Sequence, residues 1–120
     1  MDHQESVQIG GTLTAWLFLA GAILFEVAGT TSMKLSEGFT KTLPSVLMFV
    51  FYIISLVCLT YALKKIDVGV AYAIWAGVGT ALIAVIGIWH FREPATMIKI
   101  GSIGLIIIGV VGLHLSSSGR

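Results

Sequence analysis

The chain has 120 residues, of which 57% are hydrophobic and only 11% charged, with a formal net charge of +1. So few polar groups cannot cover the surface of a soluble domain this small, so the composition points to an integral membrane protein. The near-neutral charge gives no footing for a nucleic-acid partner. A lone Cys58 excludes an intramolecular disulfide framework and any cysteine-rich metal site.

The segment before the first apolar run carries Asp2 and Glu5 but no Lys or Arg. It lacks the basic start of a cleavable signal peptide, so the first span is expected to stay in the mature protein. Four apolar runs follow, Leu13–Met33, Leu43–Leu63, Val68–Trp89 and Met97–Leu115. Each is about 20 residues, the length at which a helix crosses a ~30 Å hydrocarbon core, whereas barrel strands need about half that. The expected fold class is an all-α membrane protein, with residues 1–120 forming a single four-helix transmembrane domain. The connections are short. Gly38 is expected to end the first helix, Pro44 to sit in the opening turn of the second, and Asp67 to N-cap the third.

The first run is organised around Glu26, an acidic residue well inside an apolar helix. At that depth a charge costs about 3 kcal/mol on insertion scales, so it must face a bundle interior or cavity, find a partner, or take up a proton. Glu26 is therefore the leading functional candidate. Ala22, Gly29, Thr30 and Met33 share its helical face. Apart from Met33 these are small, which suits either close helix packing or the approach of a flat ligand. On the second run, Tyr52 and Ser55 share a face, and the Tyr52 hydroxyl needs a partner within the membrane.

The third run contains Tyr72 and Trp75 on one face, continued by Gly79. Tyr72 is near enough to the helix start to be an interfacial anchor. Trp75 is deeper, and a carboxylate with aromatic faces attracts lipophilic cations. Gly77 and Gly79 mark either close packing or a place to bend. The fourth run carries Gly101, Ser102, Gly104, Gly109 and Gly112 among Ile, Leu and Val, the pattern of a helix that associates in lipid. His90 and His114 fall near helix ends, where interfacial placement outweighs metal binding. No metal-ligand spacing, phosphate loop or activated nucleophile is present, so neither an enzyme nor a cofactor is expected.

Four spans place both termini and the second connection on one side. Lys64, Lys65 and Arg120 then face Lys34, Lys41, Arg92 and Lys99, splitting the seven basic residues almost evenly. Basic residues normally concentrate on the cytoplasmic side and fix orientation. The near balance leaves two readings, an orientation set by other features or insertion both ways as an antiparallel pair. Two oppositely inserted copies would supply the inverted repeat on which many transporters are built.

At these residues the chain resembles the small multidrug resistance family of four-helix exporters, from about Trp16 to Ser116. The likeness is carried by Glu26-Val27-Ala28-Gly29-Thr30-Thr31, by Met33-Lys34-Leu35-Ser36-Glu37-Gly38-Phe39, by Pro44-Ser45, and by Ala71-Tyr72-Ala73-Ile74-Trp75-Ala76-Gly77-Val78-Gly79. The resemblance implies that Glu26 binds protons and substrate in competition. It implies substrate contacts for Trp75 and Tyr72, with Tyr52, Ser55 and Thr30 in support. It also implies a bend at Gly77 and Gly79, a dimer contact on the fourth helix, and an antiparallel dimer, homodimeric or a paired heterodimer. The implied location is multi-pass in the cell inner (plasma) membrane.

The guanidinium-exporting members typically have a tryptophan shortly after the glutamate and lack the helix-two tyrosine. Here Val27-Ala28-Gly29 follows Glu26 and Tyr52 is present, so the resemblance is to the polyspecific drug-exporting branch. Ala76 stands where serine is common in relatives. The expected activity is proton-coupled antiport of lipophilic, aromatic and quaternary ammonium cations. The alternatives are export of guanidinium or other small metabolic cations, a non-transporting assembly subunit in which Glu26 pairs with a partner protein, or a cation channel.

Overall fold

The computed structural model describes residues 3–118, and side chains over residues 11–116. Arg120, one of the seven basic residues, lies outside the described residues. Four helices follow one another, α1 (His3–Leu35), α2 (Thr42–Ala62), α3 (Val68–Trp89) and α4 (Met97–Ser118). Each is long and apolar enough to cross a membrane, over Gly11–Leu35, Thr42–Ala62, Val68–Trp89 and Met97–Ser116.

α1 is central. It packs on α2 along most of its apolar length and on α3 along a shorter seam, while α4 packs on α3. The core row of α1 is Ala15, Leu19, Ile23 and Val27, one residue every four, with Ala22 and Gly29 buried on the neighbouring row. Ala62, Ile66, Ala71 and Ile74 close this core from α2, the short second connection and α3. No described residue of α4 is buried. Its contacts come from one face, where Val110 and Leu113 pack against the core.

α1 begins ten residues before the expected start at Leu13. The hydropathy pattern marks where lipid-facing residues begin, and the polar residues before it are compatible with a continuing helix. At its other end α1 stops at Leu35, and Glu37, Gly38 and Phe39 all adopt left-handed backbone, with φ of 49°, 71° and 67°. Only Gly38 does so without steric cost. The buried Ser36 holds this turn: its hydroxyl donates to the Met33 carbonyl at 2.7 Å and accepts the Phe39 N–H at 3.2 Å.

Lys41 is the extended residue before α2, which places Pro44 in the first turn as expected. Asp67 occupies the N-cap position of α3, and its carbonyl accepts the Ala71 N–H at 2.9 Å. Its carboxylate does not bond the first helical N–H groups, so the cap is positional rather than a side-chain cap.

Candidate functional site

α1 and α2 are stitched together at two heights. The Ser55 hydroxyl donates to the backbone carbonyl of Ala22 at 2.6 Å, with both residues almost fully buried. One turn along α2, the Tyr52 ring lies over Gly29, where a Cβ would stand 2.7 Å from two ring carbons. No larger residue at 29 leaves the ring in place. Gly29 therefore lets the Tyr52 hydroxyl reach α1, where it lies 2.6 Å from Thr30 Oγ1.

Thr30 in turn lies one helical turn from Glu26, and its hydroxyl donates to Glu26 Oε1 at 2.9 Å. A threonine hydroxyl has one hydrogen. With that hydrogen committed to the carboxylate, the Tyr52 hydroxyl is the donor to Thr30 Oγ1. The result is a chain of donors, Tyr52 to Thr30 to Glu26, that ends on the carboxylate. The other oxygen of Glu26 faces α3, where a Cβ at the buried Gly79 would stand 3.0 Å from Oε2.

Between α1 and α3 the carboxylate opens onto a cleft of about 410 Å³. Glu26 and Thr30 form the α1 wall. The α3 wall is two adjacent rows of residues four apart, Trp75, Gly79 and Ile83 beside Ala76, Thr80 and Ala84. The half-buried indole of Trp75 thus faces the same space as Glu26, and its Nε1–H is buried without a partner among the described residues. The cleft joins one anionic group and a short hydroxyl series to an aromatic and aliphatic wall. That chemistry suits an organic cation, and it equally suits a proton on the carboxylate.

The remaining sequence candidates do not line the cleft. Ser55 points into the α1–α2 seam, where it bonds backbone, and does not line the cleft. Tyr72 is 59% exposed and reaches the site only through an edge contact to Trp75, with ring centroids 5.4 Å apart. Met33, on the face assigned to Glu26, is exposed and away from the cleft lining. Gly77 lies against α4, where a Cβ would meet Val110 Cγ2 at 2.8 Å, whereas Gly79 lies against Glu26. Gly101, Gly104, Gly109 and Gly112 have no neighbour within 4 Å of a Cβ position, and Ser102 is exposed.

Thr80 was not among the sequence candidates, although it lines the cleft. The signal was present. Thr80 lies four residues after Ala76, in the row beside Trp75 and Gly79, so extending that face by one turn reaches it.

A carboxylate set in a cleft between membrane-length helices is the build of a small multi-pass membrane transporter. A model of the Small Multidrug Resistance protein family matches residues 14–106. Among relatives, a Bacillus subtilis (strain 168) protein named "Uncharacterized membrane protein YvaE" is 60% identical over 100 residues, covering 83% of this chain and 84% of its own. A guanidinium exporter of Yersinia pestis is 40% identical over 103 residues, covering 86% and 99%. A guanidinium exporter of Escherichia coli (strain K12) is 37% identical over 103 residues, covering 86% and 98%. The chain belongs to the Small Multidrug Resistance family of membrane transporters.

Proposed function

We propose that the protein is a proton-coupled antiporter that exports lipophilic, aromatic and quaternary ammonium cations by alternating access. The observation that carries this reading is the shared cleft of Glu26 and Trp75. Its volume, about 410 Å³, falls within the ~300–1,000 Å³ range of sites for drug-sized ligands. A quaternary cation has no N–H to donate. It is recognised by charge and by an aromatic face, and Glu26 and Trp75 supply these two features.

Coupling follows from single occupancy. A proton on Glu26 removes the charge that holds the cation, and a bound cation stabilises the ionised carboxylate. The two ligands therefore exclude each other at one group, and a reorientation permitted by either exchanges them across the membrane. We assign the working unit to an antiparallel homodimer in the cell inner (plasma) membrane. The near-even split of basic residues and the uncovered glycine face of α4 support that assignment.

The deciding experiment is tetraphenylphosphonium binding to the purified protein across pH, alongside Glu26→Gln. Affinity should fall as pH drops and vanish in the variant. Tight binding that ignores pH would remove the exchange mechanism.

A second reading, export of guanidinium, is favoured by the names of several relatives. It predicts that guanidinium competes with protons at Glu26 while tetraphenylphosphonium does not bind.

A further inference from the structure

Beyond the cleft, toward the end of the bundle that carries Lys34, lies a second cavity of about 220 Å³. The two are contiguous, sharing Thr30, Ile83 and Ala84. The outer cavity adds Thr31 and Lys34 from the end of α1, and Phe91 and Glu93 from the α3–α4 connection. Lys34 lies eight residues beyond Glu26, about 12 Å along α1 at the helical rise.

Lys34 and Glu93 are exposed at this end of the bundle, but Glu93 is held in place by its backbone and by α3. The Glu93 N–H donates to the Gly87 carbonyl at 3.0 Å. The Glu93 carboxylate is folded so tightly onto α3 that a Cβ at the buried Gly87 would overlap Oε1. Arg92, between Phe91 and Glu93, is left-handed with φ of 57°. The Thr31 hydroxyl oxygen is buried and has no partner among the described residues. Lys34 shares the cavity with Glu93, yet no ion pair joins them among the described residues. Its ammonium instead lies 6.0 Å from the centroid of the Phe91 ring.

We propose that this outer cavity is a separate binding site for small planar cations of the guanidinium class, on the route to and from Glu26. A carboxylate accepts two N–H donors from such a cation side by side. The Phe91 ring offers it an aromatic face, and the unpartnered Thr31 oxygen accepts a further N–H. A quaternary ammonium ion satisfies only the charge and the aromatic face. The volume, about half that of the inner cleft, favours the smaller ligand in the same direction. Lys34 already holds the aromatic face, so it acts as a tethered competitor that an arriving cation displaces. The route rests on the reading of Glu26 as the inner cation site, whereas occupancy of the outer cavity depends on Glu93.

The test is titration of the purified full chain with guanidinium chloride against matched sodium chloride, following NMR resonances of the Thr31 methyl and Phe91 ring. In Glu26→Gln the saturable guanidinium shifts at Thr31 and Phe91 should persist. Adding Glu93→Gln should raise their midpoint about tenfold or more, and Lys34→Met should lower it severalfold, a gain that misfolding cannot produce. Loss of these shifts in Glu26→Gln, or indifference to Glu93→Gln, would overturn the outer site. The inner site reports separately through the Trp75 indole. If that signal ignores tetraphenylphosphonium while the Glu93-dependent shifts remain, the inner reading fails and the outer site stands.

Discussion

Gly79 lies directly against the carboxylate of Glu26: a Cβ there would stand 3.0 Å from Oε2, so any side chain would push the carboxylate back by a few tenths of an ångström. Alanine is favoured over glycine in a helix interior by about 1 kcal/mol. Gly79→Ala should therefore have opposite effects on two quantities. α3 should become more stable, while the displaced carboxylate should bind tetraphenylphosphonium roughly tenfold more weakly. Thermal unfolding and cation binding on the same sample check the pair, and unchanged affinity would show that Oε2 has slack to move.

The donor chain into Glu26 can be cut without disturbing the packing around it. Tyr52→Phe keeps the ring over Gly29 and removes only the hydrogen bond to Thr30 Oγ1. The expected loss is about 1 kcal/mol, close to fivefold in cation affinity. Gly29→Ala moves the ring itself and should cost more, in affinity and in resistance to unfolding. Equal effects from the two variants would mean that the hydroxyl contributes nothing beyond the ring.

Ser55 separates structure from recognition. Its hydrogen bond to the Ala22 carbonyl joins two helices in a buried seam, and such bonds within membranes are worth about 0.6–2 kcal/mol. Ser55→Ala should lower stability by that order and leave the ranking of cations unchanged. A changed ranking between aromatic and small cations would place Ser55 on the binding surface after all.

Trp75 and Tyr72 should behave differently despite their shared helix face. Trp75 lines the cleft, whereas Tyr72 reaches it only through the Trp75 ring. Trp75→Ala should weaken aromatic cations by about 1–2 kcal/mol relative to small ones. Tyr72→Ala should change affinity less, with selectivity largely kept. Competition assays with tetraphenylphosphonium and guanidinium on both variants decide the point.

The helices were legible because a membrane span is written in length and polarity alone. The apolar runs fall within a residue or two of α2 and α3, and depart at the start of α1 and the end of α4, where polar residues continue the helix. Glu26 and Trp75 were legible as candidates because each is unusual at its depth. Partners across helices were less so. Periodicity gives the faces of one helix but not which face of a neighbour it meets, so Ser55 reads with Tyr52 on one face and Tyr72 with Trp75 on another. The acceptor for Ser55 is a backbone carbonyl, which carries no sequence signature. Glu93 and Phe91 read as part of a short connection, because only the turn at Arg92 and the contact with Gly87 bring them beside Thr31.

The two stitches between α1 and α2 have a mechanical consequence. Hydrogen bonds at Ser55 and Tyr52 tie these helices together at two heights, so they should translate and rotate as a single plank. The Gly77 contact between α3 and α4 consists of hydrocarbon meeting hydrocarbon, which can slip by small steps without breaking a bond. Motion should therefore concentrate along α3, leaving the α1–α2 plank as the stationary reference. Spin-label distances should stay fixed between α1 and α2 and broaden between α3 and α4 when tetraphenylphosphonium is added. The carboxylate is thus mounted on the hydrogen-bonded half of the bundle, and its aromatic wall on the half expected to shift.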